Sequence, residues 1–214
     1  MPRSLLLSLL ALVVTSPSMA SDRPEPAALR HEHEISLLGG QGVDLNLRQV
    51  PSAIFSGEWK REPTRFTALS YAHVRNTLGG SIRETRGTPL MNVQHGYEIM
   101  LLQHRGLQDN AELAATYFLR SPPLELFALR VNFAGGGGLS HAFGTPTYED
   151  GPRDNPTRRY RTQFSGFLEF EWSAAPWPEL ALVTRVQHRS GIYGLIAPRH
   201  VGSNFVAVGL RYKF

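Results

Sequence analysis

The chain has 214 residues, no cysteine and a net charge of +4, with almost all of its 22 basic residues being arginine. The missing cysteines exclude a disulfide framework, and past the N-terminus no apolar run approaches the ~18 residues that a spanning helix needs. Scattered arginines without an aromatic–basic repeat argue against nucleic acid as a partner, and the length fits one domain.

From the N-terminus, Arg3, the apolar run Leu5 to Val14 and the small-x-small ending Ser18-Met19-Ala20 read as a secretory signal over residues 1–20, with one domain over 21–214. His31-Glu32-His33-Glu34 looks at first like a metal site. Two ligands on a strand face with no assignable third are too few, so no metal and no cofactor is expected.

Eight strand-like segments follow in order: His31 to Leu38, Phe66 to Arg75, Tyr97 to His104, Glu112 to Arg120, Leu124 to Phe133, Arg161 to Trp172, Leu180 to Ser190, and Asn204 to Phe214. Breakers separate them at Pro122-Pro123, Gly135 to Gly138, Pro176 and Pro178, and Gly191 to Gly202. The pattern predicts an all-β fold, an eight-stranded antiparallel transmembrane β-barrel whose interior is filled by side chains. Short connections after the fourth and sixth segments and longer ones after the first, fifth and seventh predict which end faces outward, with both termini in the periplasm. Trp172 and Trp177 flank one short turn, where an interfacial aromatic girdle would sit.

The seventh segment alternates with period two. Leu180, Leu182, Thr184, Val186, His188 and Ser190 share one face; Arg185, Gln187 and Arg189 share the other. In the eighth, Asn204, Val206, Val208, Leu210, Tyr212 and Phe214 oppose Arg211 and Lys213. Charged side chains belong inside such a barrel, so Glu169, Glu171, Arg185, Arg211 and Lys213 are expected to form an interior ion-pair lattice. His188 and Ser190 instead lie on the apolar, lipid-facing side near the outer end. Residues i and i+2 on a strand point the same way, so the pair can bring a base to a nucleophile. Arg153 and Arg158-Arg159-Tyr160-Arg161 form the densest basic cluster, on the outer loop, and are candidates for lipid A phosphates.

With a signal peptide, eight strands, His-x-Ser at the outer end of the penultimate strand and a terminal aromatic strand, the chain resembles the outer-membrane lipid A 3-O-deacylases. The specific overlap runs from Gly166 to Phe214. The resemblance implies a serine esterase in the outer membrane that acts on lipid A of lipopolysaccharide, with Ser190 as nucleophile and His188 as general base. Where that family carries Asn-Ala after the serine, this chain has Gly191-Ile192, and no acidic residue follows Glu179. The expected substitutes are Gly191 or Asn204 as oxyanion donor and Glu149 or Asp150 as the acid that orients His188. A non-catalytic interaction barrel and a lipid A modifying enzyme of other chemistry are the alternatives, and the oligomeric state is open.

Overall fold

A computed structural model describes residues 32–44, 56, 59–75, 93–149, 151, 154–155 and 157–214. The expected signal over 1–20, His31, Asp150 and Arg153 lie outside the described residues.

The strands are β1 (His33–Val43), β2 (Arg61–Arg75), β3 (Gln94–Gly106), β4 (Ala111–Arg120), β5 (Leu124–Leu126), β6 (Leu129–Phe143), β7 (Thr162–Ala174), β8 (Trp177–Ser190) and β9 (Gly202–Lys213). All pair antiparallel. The three-residue β5 pairs only with the start of β6. The other eight strands form a closed ring, because β4 pairs with β6 and β1 pairs with β9. Closure leaves no strand edge in the ring, which is what a strand-built membrane span requires.

Alternation decides which side chains go where. Ile35, Leu37, Leu69, Ile99, Leu101 and Leu210 point outward and are exposed, while their strand neighbours are buried inside. The interior is part apolar and part ionic. Leu38, Phe66, Met100, Leu102 and Phe205 pack as one cluster and Phe118 and Phe167 as another. The ionic part is the lattice expected from strand parity, but larger. Arg185 reaches Glu98 at 2.7 Å and Glu169 at 2.5 Å. Arg211 reaches Glu169 and Glu171, each at 2.6 Å, and Arg120 grips Glu34 through both terminal nitrogens at 2.6 and 2.7 Å. Lys213 closes on Glu171. Apart from the partly exposed Lys213, these ions are all but inaccessible to water, so each is stable only with its partners in place.

Two expectations are corrected. The segment Leu124 to Phe133, expected as one strand, turns at Phe127 and Ala128, so that β5 folds back on the start of β6. Gly135 to Gly138 is not a breaker between strands; it lies within β6, which runs on to Phe143. The run makes room for aromatic rings. A Cβ at Gly136 would lie 2.6 Å from the Phe167 ring inside the barrel, and one at Gly137 would lie 2.7 Å from the Phe164 ring outside it. Strand glycine here marks close approach of a neighbour rather than a turn.

Candidate active site on the outer wall

His188 and Ser190 are among the last residues of β8, at the end of the barrel opposite the start of β1 and the end of β9. Antiparallel register sets their neighbours. Ser190 is opposite Phe164 on β7 and Gly202 on β9; His188 is opposite Gly166 on β7 and Asn204 on β9. Both side chains share parity with the exposed Leu180 and Leu182, whereas Arg185, Gln187 and Arg189 are buried inside. The pair therefore sits on the outer wall.

Glycine again shapes the surroundings. A Cβ at Gly166 would lie 2.7 Å from the Phe164 ring, so that ring lies down across Gly166 and Gly137 on the outer surface. The result is a smooth apolar floor beside His188 and Ser190, both half-buried. Phe164 and Gly166 had no motif to mark them; their only signal in the sequence is shared outward parity with Leu168 and Phe170.

His188 Nδ1 is 2.7 Å from Asn204 Oδ1. An amide oxygen only accepts, so Nδ1 is the donor in this pair, and the neutral ring that makes this bond has its lone pair on Nε2. Asn204, expected as an oxyanion donor, instead engages the histidine at the position where an orienting group belongs. The hydrogen bond of His188 runs to Asn204 and not to Ser190.

Glu149 is corrected as well. As a candidate orienting acid it would have to reach the outer wall. It turns into the barrel instead, where Arg189 and Gln163 hold its carboxylate and Ser203 Oγ lies 3.5 Å away. The reason is parity: Arg189, between His188 and Ser190 in sequence, points to the other side of the strand. Burial raises the Glu149 carboxyl to about 7 against the opposing pull of Arg189, with the nearby Glu112 adding to the rise.

The loop after β8 is tightly built. The Gly191 carbonyl accepts from the backbone N–H of Gly194, Ile196 and Ala197, and a Cβ at Gly191 would lie 2.1 Å from the Ala197 carbonyl oxygen. Ile192 and Tyr193 take φ of 45° and 52°, a costly conformation for a β-branched or bulky side chain. Tyr193 and Leu195 end up 78% and 80% exposed beside the site. In the loop after β6, Arg158 stacks over Tyr160 at 5.0 Å and Arg159 donates to the Arg158 and Thr147 carbonyls at 3.3 and 3.5 Å. Arg161 is exposed, and its carbonyl accepts from Arg189 at 2.8 Å.

No protein-family model matches the chain, and no curated protein does either. Solved structures do. The crystal structure of the outer membrane enzyme PagL matches with a TM-score of 0.52 at 8% identity, covering 85% of this chain and 99% of that one. That of Neisserial surface protein A matches with a TM-score of 0.46 at 10% identity, covering 86% and 97%. The fold is that of the small outer-membrane β-barrels.

Proposed function

We propose that this barrel is an outer-membrane serine esterase that removes an ester-linked acyl chain from lipid A, working from the lipid side of its wall. The observation that carries the reading is the Asn204–His188 hydrogen bond of 2.7 Å on the outward face that also bears Ser190. The structural likeness to an outer membrane enzyme and the His-x-Ser resemblance support it.

In this mechanism Asn204 fixes the imidazole with its proton on Nδ1. The free Nε2 takes the Ser190 hydroxyl proton as Oγ attacks the ester carbonyl. The tetrahedral intermediate collapses, the C–O bond to the sugar breaks, and His188 returns the proton to the leaving alkoxide. Water, deprotonated by the same histidine, then releases the acyl group from Ser190 as a fatty acid. The backbone N–H of Gly191, next to the nucleophile, is our candidate for the oxyanion. The Phe164 floor over Gly137 and Gly166 suits an acyl chain arriving sideways through the membrane. Arg158, Arg159 and Arg161, with Arg153, are candidates for the sugar phosphates above it.

A second reading is a non-catalytic interaction barrel. Favouring it is the neutral amide at His188, where a carboxylate would also stabilise the imidazolium that forms. Mass spectrometry of lipid A from a host expressing the wild type or Ser190→Ala separates the two. Loss of one hydroxyacyl mass with the wild type alone is the expected result. Unchanged lipid A in both, with the barrel correctly inserted, favours the interaction barrel.

A further inference from the structure

On the outer wall, Arg65 of β2 is directly opposite Arg105 of β3. Cross-strand neighbours of like charge have Cβ atoms only ~5 Å apart and destabilise a sheet. The compensation is partial. Asp109 accepts from Arg105 Nη1 at 2.5 Å and also from Gln103 Nε2 at 3.3 Å. Among the described residues no carboxylate pairs with Arg65. Of these two adjacent guanidiniums only that of Arg105 meets a carboxylate, and that carboxylate is itself exposed.

The surroundings are built rather than incidental. Gln41, Pro63, Thr64, Arg65, Arg105 and Gly106 line a cleft of about 280 Å³. Gly106 has φ +105°, and a Cβ there would lie 2.2 Å from the Pro63 carbonyl oxygen, so only glycine closes this turn. The Gln41 amide nitrogen is spent on the backbone, donating to the carbonyls of Glu62 and Thr64. The pairing of β1 with β2 shifts register between Gln41 and Val43, a bulge at the rim of the cleft. The cationic groups that line the cleft are the two guanidiniums.

Height along the wall identifies the ligand. The exposed apolar pair Leu69 and Leu101 is followed toward the loop end by Thr67 and Gln103, and then by Arg65 and Arg105. The cations thus stand ~13 Å along the strands from the last large apolar pair, where lipid head groups begin. The planar forks of two arginines suit a phosphate oxygen set, and the apolar wall below suits the chains of the same molecule. We infer that Arg65 and Arg105 bind the phosphate of a membrane lipid head group at the loop end of the barrel. This site is separate from His188 and Ser190, since β9 and β1 stand between β8 and β2, and it does not depend on hydrolysis.

The test uses the full chain carrying Ser190→Ala together with Arg153→Gln, Arg158→Gln, Arg159→Gln and Arg161→Gln, so that binding is read without turnover and without the basic cluster assigned to the proposed active site. Native mass spectrometry from detergent micelles is run with bisphosphorylated lipid A, with the same lipid stripped of phosphate, and with inorganic phosphate. The expected result is binding of the phosphorylated lipid roughly tenfold tighter than of the stripped one. That preference should vanish in Arg65→Gln/Arg105→Gln and persist in part in Arg65→Lys/Arg105→Lys. Equal retention of both lipids, or a preference that survives the double Gln variant, overturns the site. Arginine-dependent binding of inorganic phosphate without preference for the phosphorylated lipid overturns the lipid assignment. Arg65→Gln alone keeps the idea exposed if the double variant fails to insert. In lipid-free detergent it should unfold at the same temperature as the parent or higher, since it relieves repulsion. A fall would give Arg65 a structural duty and count against the proposal.

Discussion

The lumen and the outer wall solve the same problem, placing polar side chains away from water, in opposite ways. In the lumen the answer is charge against charge, with Arg185, Arg211 and Arg120 locked among Glu34, Glu98, Glu169 and Glu171. On the wall at His188 the answer is a neutral amide that accepts a hydrogen bond from an imidazole. An ion facing hydrocarbon is costly, while an ion inside a satisfied network is not. The lesson is that the lumen charges hold the barrel and the uncharged wall pair is free for chemistry.

Variants can break this division of labour. Ser190→Ala should have the largest effect, cutting acyl release by about 10⁴-fold or more with barrel stability unchanged; lipid A mass spectrometry and heat-modifiable gel mobility read the two sides. Arg185→Met should do the reverse. It leaves Glu98 and Glu169 short of their shared cation and should cost ~3–5 kcal/mol in denaturant unfolding, while the fraction that folds keeps its turnover per molecule. Adding Glu98→Gln to it should restore part of the loss. Asn204→Ala should lower turnover by about 10²-fold through loss of imidazole orientation, with little change in unfolding. An Asn204→Ala enzyme as fast as the wild type would remove Asn204 from the mechanism.

The smallest effect concerns the loop that dips into the lumen. The folded Glu149 carboxyl sits at about 7, above its ordinary value of 4.5. The folded state therefore holds more protons than the unfolded chain between those values, and stability falls as pH rises from about 4.5 to about 7. Glu149→Gln, which cannot titrate, should flatten that slope in thermal unfolding. An identical slope in the variant would assign it to other groups.

Much of this was legible in the residues because a strand has only two faces. The parity of Arg185 against His188 put one inside and the other outside, and the same parity in Glu169, Glu171, Arg211 and Lys213 gave part of the ion lattice, whereas Glu34, Glu98 and Arg120 join it from strands where no ion pair was expected. Three features were hidden for one reason: they depend on which residues of different strands face each other. The Gly135 to Gly138 run looks like a turn until Phe164 and Phe167 lie across it. Asn204 meets His188 because the pairing of β8 and β9 across the strained loop at Ile192 and Tyr193 puts them side by side; a shift of one residue would point Asn204 inward. Glu149 went to the lumen because Arg189 and Gln163 converge there, which no local spacing reveals.

The ring closes where β1 meets β9, with Glu34 opposite Lys213 and the backbones of His33 and Phe214 exchanging hydrogen bonds at 3.1 and 2.8 Å. Asn204 belongs to that sealing strand. The histidine thus has its partner only when β9 is paired with β8. On the mechanism proposed above, an undocked β9 leaves His188 and Ser190 without the group that orients the imidazole. On that mechanism, closing the ring and completing the site are one event.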